Sequence, residues 1–357
     1  MKTTRVKRLC HVCGLFVGLL LAFNLSSGFS QEIEISPQYY HIKNFKFVSG
    51  DVLPEMVVEY GTIGTKKTDA AGNIVNGIVW CHGWSGNYAQ IKDAKAVVGP
   101  GKVIDTDKYF IIAPTAIGSP GSSSPSTSKL GPKFPKYTPR DMANAQYRLI
   151  TEHFKVKHLK GVIGASMGGF QTLEWAANYP DFMDFIIAIA TSYESAGRSL
   201  GNAFVVNNAI RKDPRYKDGY YTEQPVDGLA QGAMGQFLWY MSAAFYREKF
   251  PSNEIFLNVL QNEGKKAAKA DANDVIWRND NLMAYSVKDR VGTIKAKALV
   301  IGINQDEIFP PDTDTVPLAK AIKGATLFTF DSPLGHVGAG RDLKKAESAI
   351  GDFLKAD

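Results

Sequence analysis

Gly164-Ala165-Ser166-Met167-Gly168, with Gly169 directly behind it, is the stretch that decides how this chain is read. It has the form Gly-x-Ser-x-Gly. A mostly apolar run over residues 159–163 leads in, and a helical pattern over residues 170–177 leads out. The frame is therefore strand, sharp turn, helix. A serine on such a turn projects its hydroxyl over the end of a sheet, where a substrate carbonyl can reach it. The flanking glycines answer the crowding of the backbone there. In a chain with 33 glycines the five residues alone carry little weight. The alternative is an ordinary tight turn with a solvent-facing serine, and the strand-turn-helix frame argues against it.

The pattern outward from this turn is regular. Residues 40–48 and 55–63 read as two early strands, and residues 69–73 as a turn before a third strand at 74–81. Residues 110–113 form a short buried strand. The Gly-, Pro- and Ser-rich stretch 118–139 reads as a long surface loop. A helical pattern over 140–154 precedes the serine strand, and another strand comes at 185–190. This alternation predicts an α/β fold with a mostly parallel central sheet flanked by helices. The rhythm breaks near Ser192. Residues 192–290 show helical periods, no clear strand, and the aromatic runs Leu238-Trp239-Tyr240-Met241 and Phe245-Tyr246. Strands resume at 296–303 and 325–330, and an amphipathic helix closes the chain at about 342–354. The expected organisation is a leader at 1–30, a core in two parts at 31–191 and 291–357, and an inserted helical cap at 192–290.

A serine hydroxyl is a weak nucleophile near neutral pH and needs a base, itself oriented by a carboxylate. In a fold of this kind the chain order is Ser, then Asp or Glu, then His, each in a loop after a strand. Asp306 follows the strand at 298–303, with Glu307 adjacent and Asp312 near, so three carboxylates qualify at this point. His336 occupies the last loop of the sheet. Of the other histidines, His11 lies in the leader, His41 in an early strand, and His153 and His158 flank the end of the helix before the serine strand. His82 sits in the loop His82-Gly83-Trp84-Ser85-Gly86 after the third strand. That loop is placed to supply one donor to an oxyanion, the N–H of Trp84; the N–H of Met167, next to the nucleophile, is the other. A metal site is not expected, because no His-x-x-x-His or dense His/Asp/Cys cluster occurs. A phosphate-binding loop is likewise missing from the sequence.

The chain has 357 residues, is 45% hydrophobic and carries a formal charge of +6. Lys2, Arg5, Lys7 and Arg8 account for four of those charges, which leaves +2 elsewhere. Nothing there calls for nucleic acid. The basic start, an apolar run over 12–23 and Gly28-Phe29-Ser30 before Gln31 read as a secretory signal. The apolar run falls short of the roughly 20 residues a membrane span needs. An exported protein, periplasmic or secreted, is expected, without stable membrane association once the leader is removed. Cys10 and Cys13 fall in the leader. Cys81 then stands alone, so no internal disulfide is expected, and its apolar surroundings read as a buried structural thiol.

Together these residues resemble the homoserine O-acetyltransferase branch of the α/β-hydrolase superfamily over most of the chain after about Pro54. The resemblance rests on Gly164-Ala-Ser-Met-Gly-Gly-Phe-Gln-Thr-Leu-Glu-Trp-Ala176 and Tyr179-Pro-Asp181. Arg140-Asp141-Met142 with Ala145-Gln146, Asp306 with Phe309-Pro310-Pro311, and Gly335-His336 also match. It implies an α/β-hydrolase fold, and it favours Asp306 as the acid, because the matching aspartate stands at that distance before Phe-Pro-Pro. His82 to Gly86 is similar to that family's oxyanion loop.

Two departures bear on substrate. Where the resemblance implies a cap arginine for an amino-acid carboxylate, this chain has Ala233, although Tyr240 retains the family tyrosine. Where it implies an aspartate after the histidine, this chain has Val337. Loss of both charge partners is expected to leave an apolar pocket that penalises a charged ligand. Ser85, Ala233, Phe237, Tyr240 and Val337 are the candidate substrate-binding residues. Phe237, Trp239, Met241 and Phe245 read either as a wall for an apolar ester group or as packing within the cap. An exported enzyme would rarely meet acetyl-CoA, so water becomes the expected acyl acceptor and no cofactor is expected. The reading is an exported serine hydrolase of esterase type acting on a small-molecule, uncharged or apolar carboxylic ester. An O-acyltransferase and a non-catalytic binding protein on the same fold are the alternatives. A homo-oligomer is compatible with the sequence.

Overall fold

The computed structural model describes residues 32–356. The leader at 1–30, with Cys10 and Cys13, and Gln31 lie outside the described residues. An eight-stranded sheet organises the described chain. Its strands are β1 (Gln38–Lys46), β2 (Val52–Ile63), β3 (Gly77–Cys81), β4 (Phe110–Pro114), β5 (Leu159–Ala165), β6 (Met183–Ile189), β7 (Lys297–Ile303) and β8 (Thr326–Phe330). Across the sheet they run β1-β2-β4-β3-β5-β6-β7-β8. The first three in that order pair antiparallel, and from β4 onward every pair is parallel. All the parallel strands therefore end at one edge, which places the segments after β3, β5, β7 and β8 on the same side of the sheet.

Both faces of the parallel strands are covered, so these strands are apolar almost throughout rather than alternating. Val79, Val162, Ile186 and Val300 face one layer, where Met142 of α1 (Pro139–Arg148) and Phe170, Leu173 and Trp175 of α2 (Met167–Asn178) cover them. Ile78, Ile163, Ile187, Leu299 and Ile301 point to the other face, beneath Ile91, Leu343, Ile350 and Phe353. Most of these side chains are fully buried, and each contributes roughly 1.5–3 kcal/mol by leaving water.

Between β6 and β7 the chain forms five α-helices, α3 (Gly197–Lys212), α4 (Val226–Phe237), α5 (Ala243–Lys249), α6 (Asn253–Ala267) and α7 (Ala272–Met283). After β7 come α8 (Thr315–Ala321) and, at the end, α9 (Glu347–Lys355).

Several sequence expectations shift. The third strand starts at Gly77, because Ile74 is spent on an isolated bridge to Thr68. The helix expected over 140–154 ends at Arg148 and widens into a π-turn, Leu149–His153. The closing helix expected from 342 is a 3-10 segment, Leu343–Ala346, followed by α9. The largest correction concerns residues 118–139, which are a surface loop only in part: Pro120, Thr127, Lys129, Leu130, Lys133 and Lys136 are exposed, but much of the rest is not. Ser119, Ser122, Ser123, Ser124, Phe134 and Tyr137 are all buried. Two of these serines do the work of missing strand partners. Ser123 Oγ accepts from the Val57 N–H at 2.8 Å, and Ser122 Oγ accepts from the Glu59 N–H at 3.0 Å. A polar, irregular segment is thus buried because its hydroxyls satisfy the backbone of β2.

Candidate active site

Ser166 leaves β5 with φ +58° and ψ −124°, a region that a non-glycine residue occupies at a cost of roughly 1–3 kcal/mol. The neighbours hold it there. The Ser166 N–H donates to Ile189 O at 2.9 Å, and Ser166 O accepts from Gly169 N–H at 2.8 Å and from Thr191 Oγ1 at 3.0 Å. The glycines of the motif answer to close approach. A Cβ on Gly164 would lie 2.2 Å from Gly168 O, and one on Gly168 would lie 2.2 Å from Cys81 O. One on Gly169 would meet Thr191 at 2.5 Å.

The three residues singled out along the chain meet at the sheet edge. Asp306 Oδ2 accepts from His336 Nδ1 at 2.7 Å, which leaves Nε2 to accept the Ser166 hydroxyl proton at 2.8 Å. This tautomer follows from the partners. Asp306 has a fully buried side chain. Its Oδ1 accepts from the Ile308 N–H at 2.8 Å and the Phe309 N–H at 3.0 Å, which fixes the carboxylate in place. Glu307 instead pairs with Arg198, and Asp312 is exposed. Of the remaining histidines, three have other partners: His41 with Glu55, His153 with Tyr60, His158 with Asp184.

The loop after β3 is fixed from beneath. His82 is buried; Nδ1 donates to Gly83 O at 2.6 Å and Nε2 accepts from the Ala116 N–H at 2.8 Å. Burial pushes its pKa down to about 4, so the ring is a neutral brace. Gln146 Nε2 donates to Gln171 Oε1 at 2.6 Å, and Gln171 Nε2 donates to His82 O at 3.1 Å. Cys81 is buried and free, and burial pushes its thiol pKa up, which makes it unreactive. The Gly83 N–H is taken by Gln90 Oε1 at 2.6 Å. No acceptor among the described residues takes up the N–H of Trp84 or of Met167.

Ser166 and His336 open into a pocket of about 300 Å³, walled in part by Ala203, Leu282, Ile308 and Val337. Trp84, Ser85, Gln236 and Tyr240 line both this pocket and a larger cavity of about 840 Å³ under the cap helices. Ala233 and Phe237 line the larger cavity. The cap rests on the histidine loop, with Tyr240 O accepting from the Val337 N–H at 3.3 Å. The expectation of an apolar pocket holds only in part, because charged side chains line both spaces: Asp93 and Arg341 in the pocket that holds Val337, and Arg278, Asp274 and Lys266 in the one that holds Ala233. Trp239 lies outside both, 38% exposed beneath the Arg198 guanidinium at 5.4 Å. Gln90, Arg278 and Asn279 around the Trp84 loop were not legible as site residues, since nothing in their local sequence marks them.

The site is thus a strained serine after a central parallel strand, bonded to a histidine and linked through it to an aspartate from another strand end. A family model described as alpha/beta hydrolase fold matches residues 78–338. The chain is 37% identical over 324 residues to a probable acyltransferase of Methanothermobacter thermautotrophicus, covering 91% of this chain and 99% of that one. It is 33% identical over 323 residues to a homoserine O-acetyltransferase of Trichormus variabilis, covering 84% and 88%. Among solved structures it is similar to the acetyl esterase MekB, with a TM-score of 0.81, 26% identity and coverage of 91% and 98%. The chain belongs to the alpha/beta hydrolase family, in its homoserine O-acetyltransferase-like branch.

Proposed function

We propose that this chain is an exported serine hydrolase of esterase type, cleaving an uncharged or apolar carboxylic ester through an acyl-enzyme. The observation that carries the reading is the unbroken relay from Ser166 Oγ through His336 to Asp306. Ser166 Oγ attacks the ester carbonyl carbon while His336 Nε2 takes its proton. The carbonyl oxygen becomes an oxyanion that accepts from the N–H groups of Trp84 and Met167. Collapse breaks the ester C–O bond, and the leaving alkoxide takes the proton from His336 and departs as the alcohol. Water then attacks the acyl-enzyme, giving its proton to His336. The second collapse returns that proton to Ser166 and releases the acid. Asp306 holds the imidazole in one orientation and stabilises its charged form. Ala203, Leu282, Ile308 and Val337 in the wall of the Ser166 pocket support an apolar group on the ester, in a pocket that Asp93 and Arg341 also line.

Export to the periplasm or the medium rests on the basic start, apolar run and small residues of positions 1–30. Among the described residues no helix is long and apolar enough to cross a membrane.

Transfer to an alcohol instead of water is the second reading, favoured by the likeness to a probable acyltransferase and to homoserine O-acetyltransferases. A pure binding protein is disfavoured, because binding alone requires no such relay. Purified protein is assayed on aryl esters of graded chain length, with and without hydroxyl acceptors, against Ser166→Ala. Turnover to free acid, lower by roughly 10⁵-fold in the variant, is expected. Product formed only in the presence of an alcohol would replace hydrolysis with transfer. Equal turnover in both proteins would overturn the reading altogether.

A further inference from the structure

The cap grips the oxyanion loop at a single residue, Trp84, through three contacts. Arg278 Nη1 donates to the Trp84 carbonyl at 2.9 Å. The same guanidinium lies over the Trp84 ring, 4.9 Å from its centroid. The indole Nε1–H of Trp84 donates to Asn279 Oδ1 at 2.8 Å. Both gripping residues are neighbours on α7, about one turn from its end.

Each is itself locked. Arg278 Nη2 reaches Gly118 O at 3.3 Å. Asn279 Nδ2 donates to Asn207 Oδ1 at 2.9 Å, and Asn207 Nδ2 donates to Asp280 Oδ1 at 2.8 Å. Asp280 is anchored in turn by Arg211 at 2.9 Å and Lys136 at 2.9 Å.

Arg278 is a costly residue to place there. It is buried, forms no ion pair among the described residues, and its Nε has no partner there. Asp274 acts on it only through space, being bonded to Ser126. A buried cation without a carboxylate is destabilising relative to an apolar side chain of the same size. Stability alone therefore does not account for an arginine whose fork is spent on two loop carbonyls, one of them Trp84's. Fixing the carbonyl, the ring face and the indole N–H of one residue restricts how its backbone can turn, and so where its N–H points.

We propose that Arg278 and Asn279 are positioning residues that set the Trp84 N–H for the oxyanion. The inference rests on the proposed role of Trp84 as an oxyanion donor to the Ser166 reaction. Its reach is set by geometry, since a misplacement of about 1 Å costs about 10²-fold in rate.

The test is the rate at which a fluorophosphonate labels Ser166, because that reaction builds a tetrahedral centre whose oxygen occupies the oxyanion position and needs no knowledge of the natural ester. Saturation kinetics separate kinact from KI in the wild type and in Arg278→Met, Arg278→Lys and Asn279→Ala, with melting curves confirming the fold. Arg278→Met and Asn279→Ala are expected to lower kinact about tenfold or more, bounded by the ~10²–10³ of a lost oxyanion donor, with KI within about twofold. Arg278→Lys should recover part of the loss. Should Arg278→Met not fold, the other two variants still decide. Folded variants with wild-type kinact, or a change confined to KI, would overturn the positioning role while leaving Ser166 as nucleophile. A wild type that is not labelled at all would remove the serine-hydrolase reading and the positioning role with it.

Discussion

The floor and the roof of the site are built on different principles. The floor is the edge of the parallel sheet, where Gly164, Gly168 and Gly169 stand at distances that admit no Cβ and the central strands are buried on both faces. The roof is the set of helices between β6 and β7. There buried polar and charged groups, Asn207, Arg278 and Asn279, run through the interior, while Phe204, Val205, Ile255 and Leu257 are exposed. Close packing at the floor holds the reacting atoms in one place. The polar links of the roof run to the Trp84 loop, where Arg278 and Asn279 bond Trp84. The comparison predicts that damage at the floor is severe and independent of substrate, while damage at the roof is graded.

The largest effect should come from the base's orienter. Asp306→Asn is expected to lower kcat by roughly 10⁴-fold with little change in stability, because the amide leaves the imidazole in the wrong tautomer. A loss below tenfold in steady-state kinetics would mean that the floor does not operate as the hydrogen bonds imply.

Next is Gly168→Ala. The added Cβ would meet a backbone carbonyl, which cannot swing away. A loss of roughly 3–4 kcal/mol in a denaturant titration is expected. An undiminished midpoint would show that the turn has slack.

The His82 brace gives a pH-dependent test. Its folded pKa, about 4, lies below the ordinary histidine value of 6.5. The unfolded chain therefore binds the extra proton first as pH falls, and stability declines between about pH 6.5 and 4. The full difference is on the order of 3 kcal/mol. Against His82→Gln, the wild type should show the steeper loss of stability through that window. Parallel slopes would break the assignment of a neutral buried brace.

The smallest effect is expected on the outer face of the roof. Phe204→Ser, at a residue 55% exposed, should move stability by no more than about 0.5 kcal/mol. A larger loss would show that this face is covered by something in solution.

The same division explains what the sequence disclosed. Ser166 was legible because strand, turn and helix are contiguous, and His336 because chain order and the last loop of the sheet single it out. Asp306 needed the resemblance, since three carboxylates stood within seven positions; its buried carboxylate and two backbone donors now separate it from Glu307. Gln146 and Gln171 fell inside recognised motifs, but their joint work under His82 depends on folding. Arg278 and Asn279 were hidden, because their partner Trp84 lies 194 and 195 residues away. Ser122 and Ser123 were misread for a related reason: a serine-rich segment looks solvated until β2 supplies donors for its hydroxyls.

The central claim is that Ser166 carries the acyl group. The most direct measurement is mass spectrometry of the protein acid-quenched during turnover of an aryl acetate. The account predicts a mass increase of one acetyl group, localised by peptide mapping to Ser166 and missing from Ser166→Ala. Turnover with an unmodified Ser166, or an adduct at another residue that survives in Ser166→Ala, would contradict it.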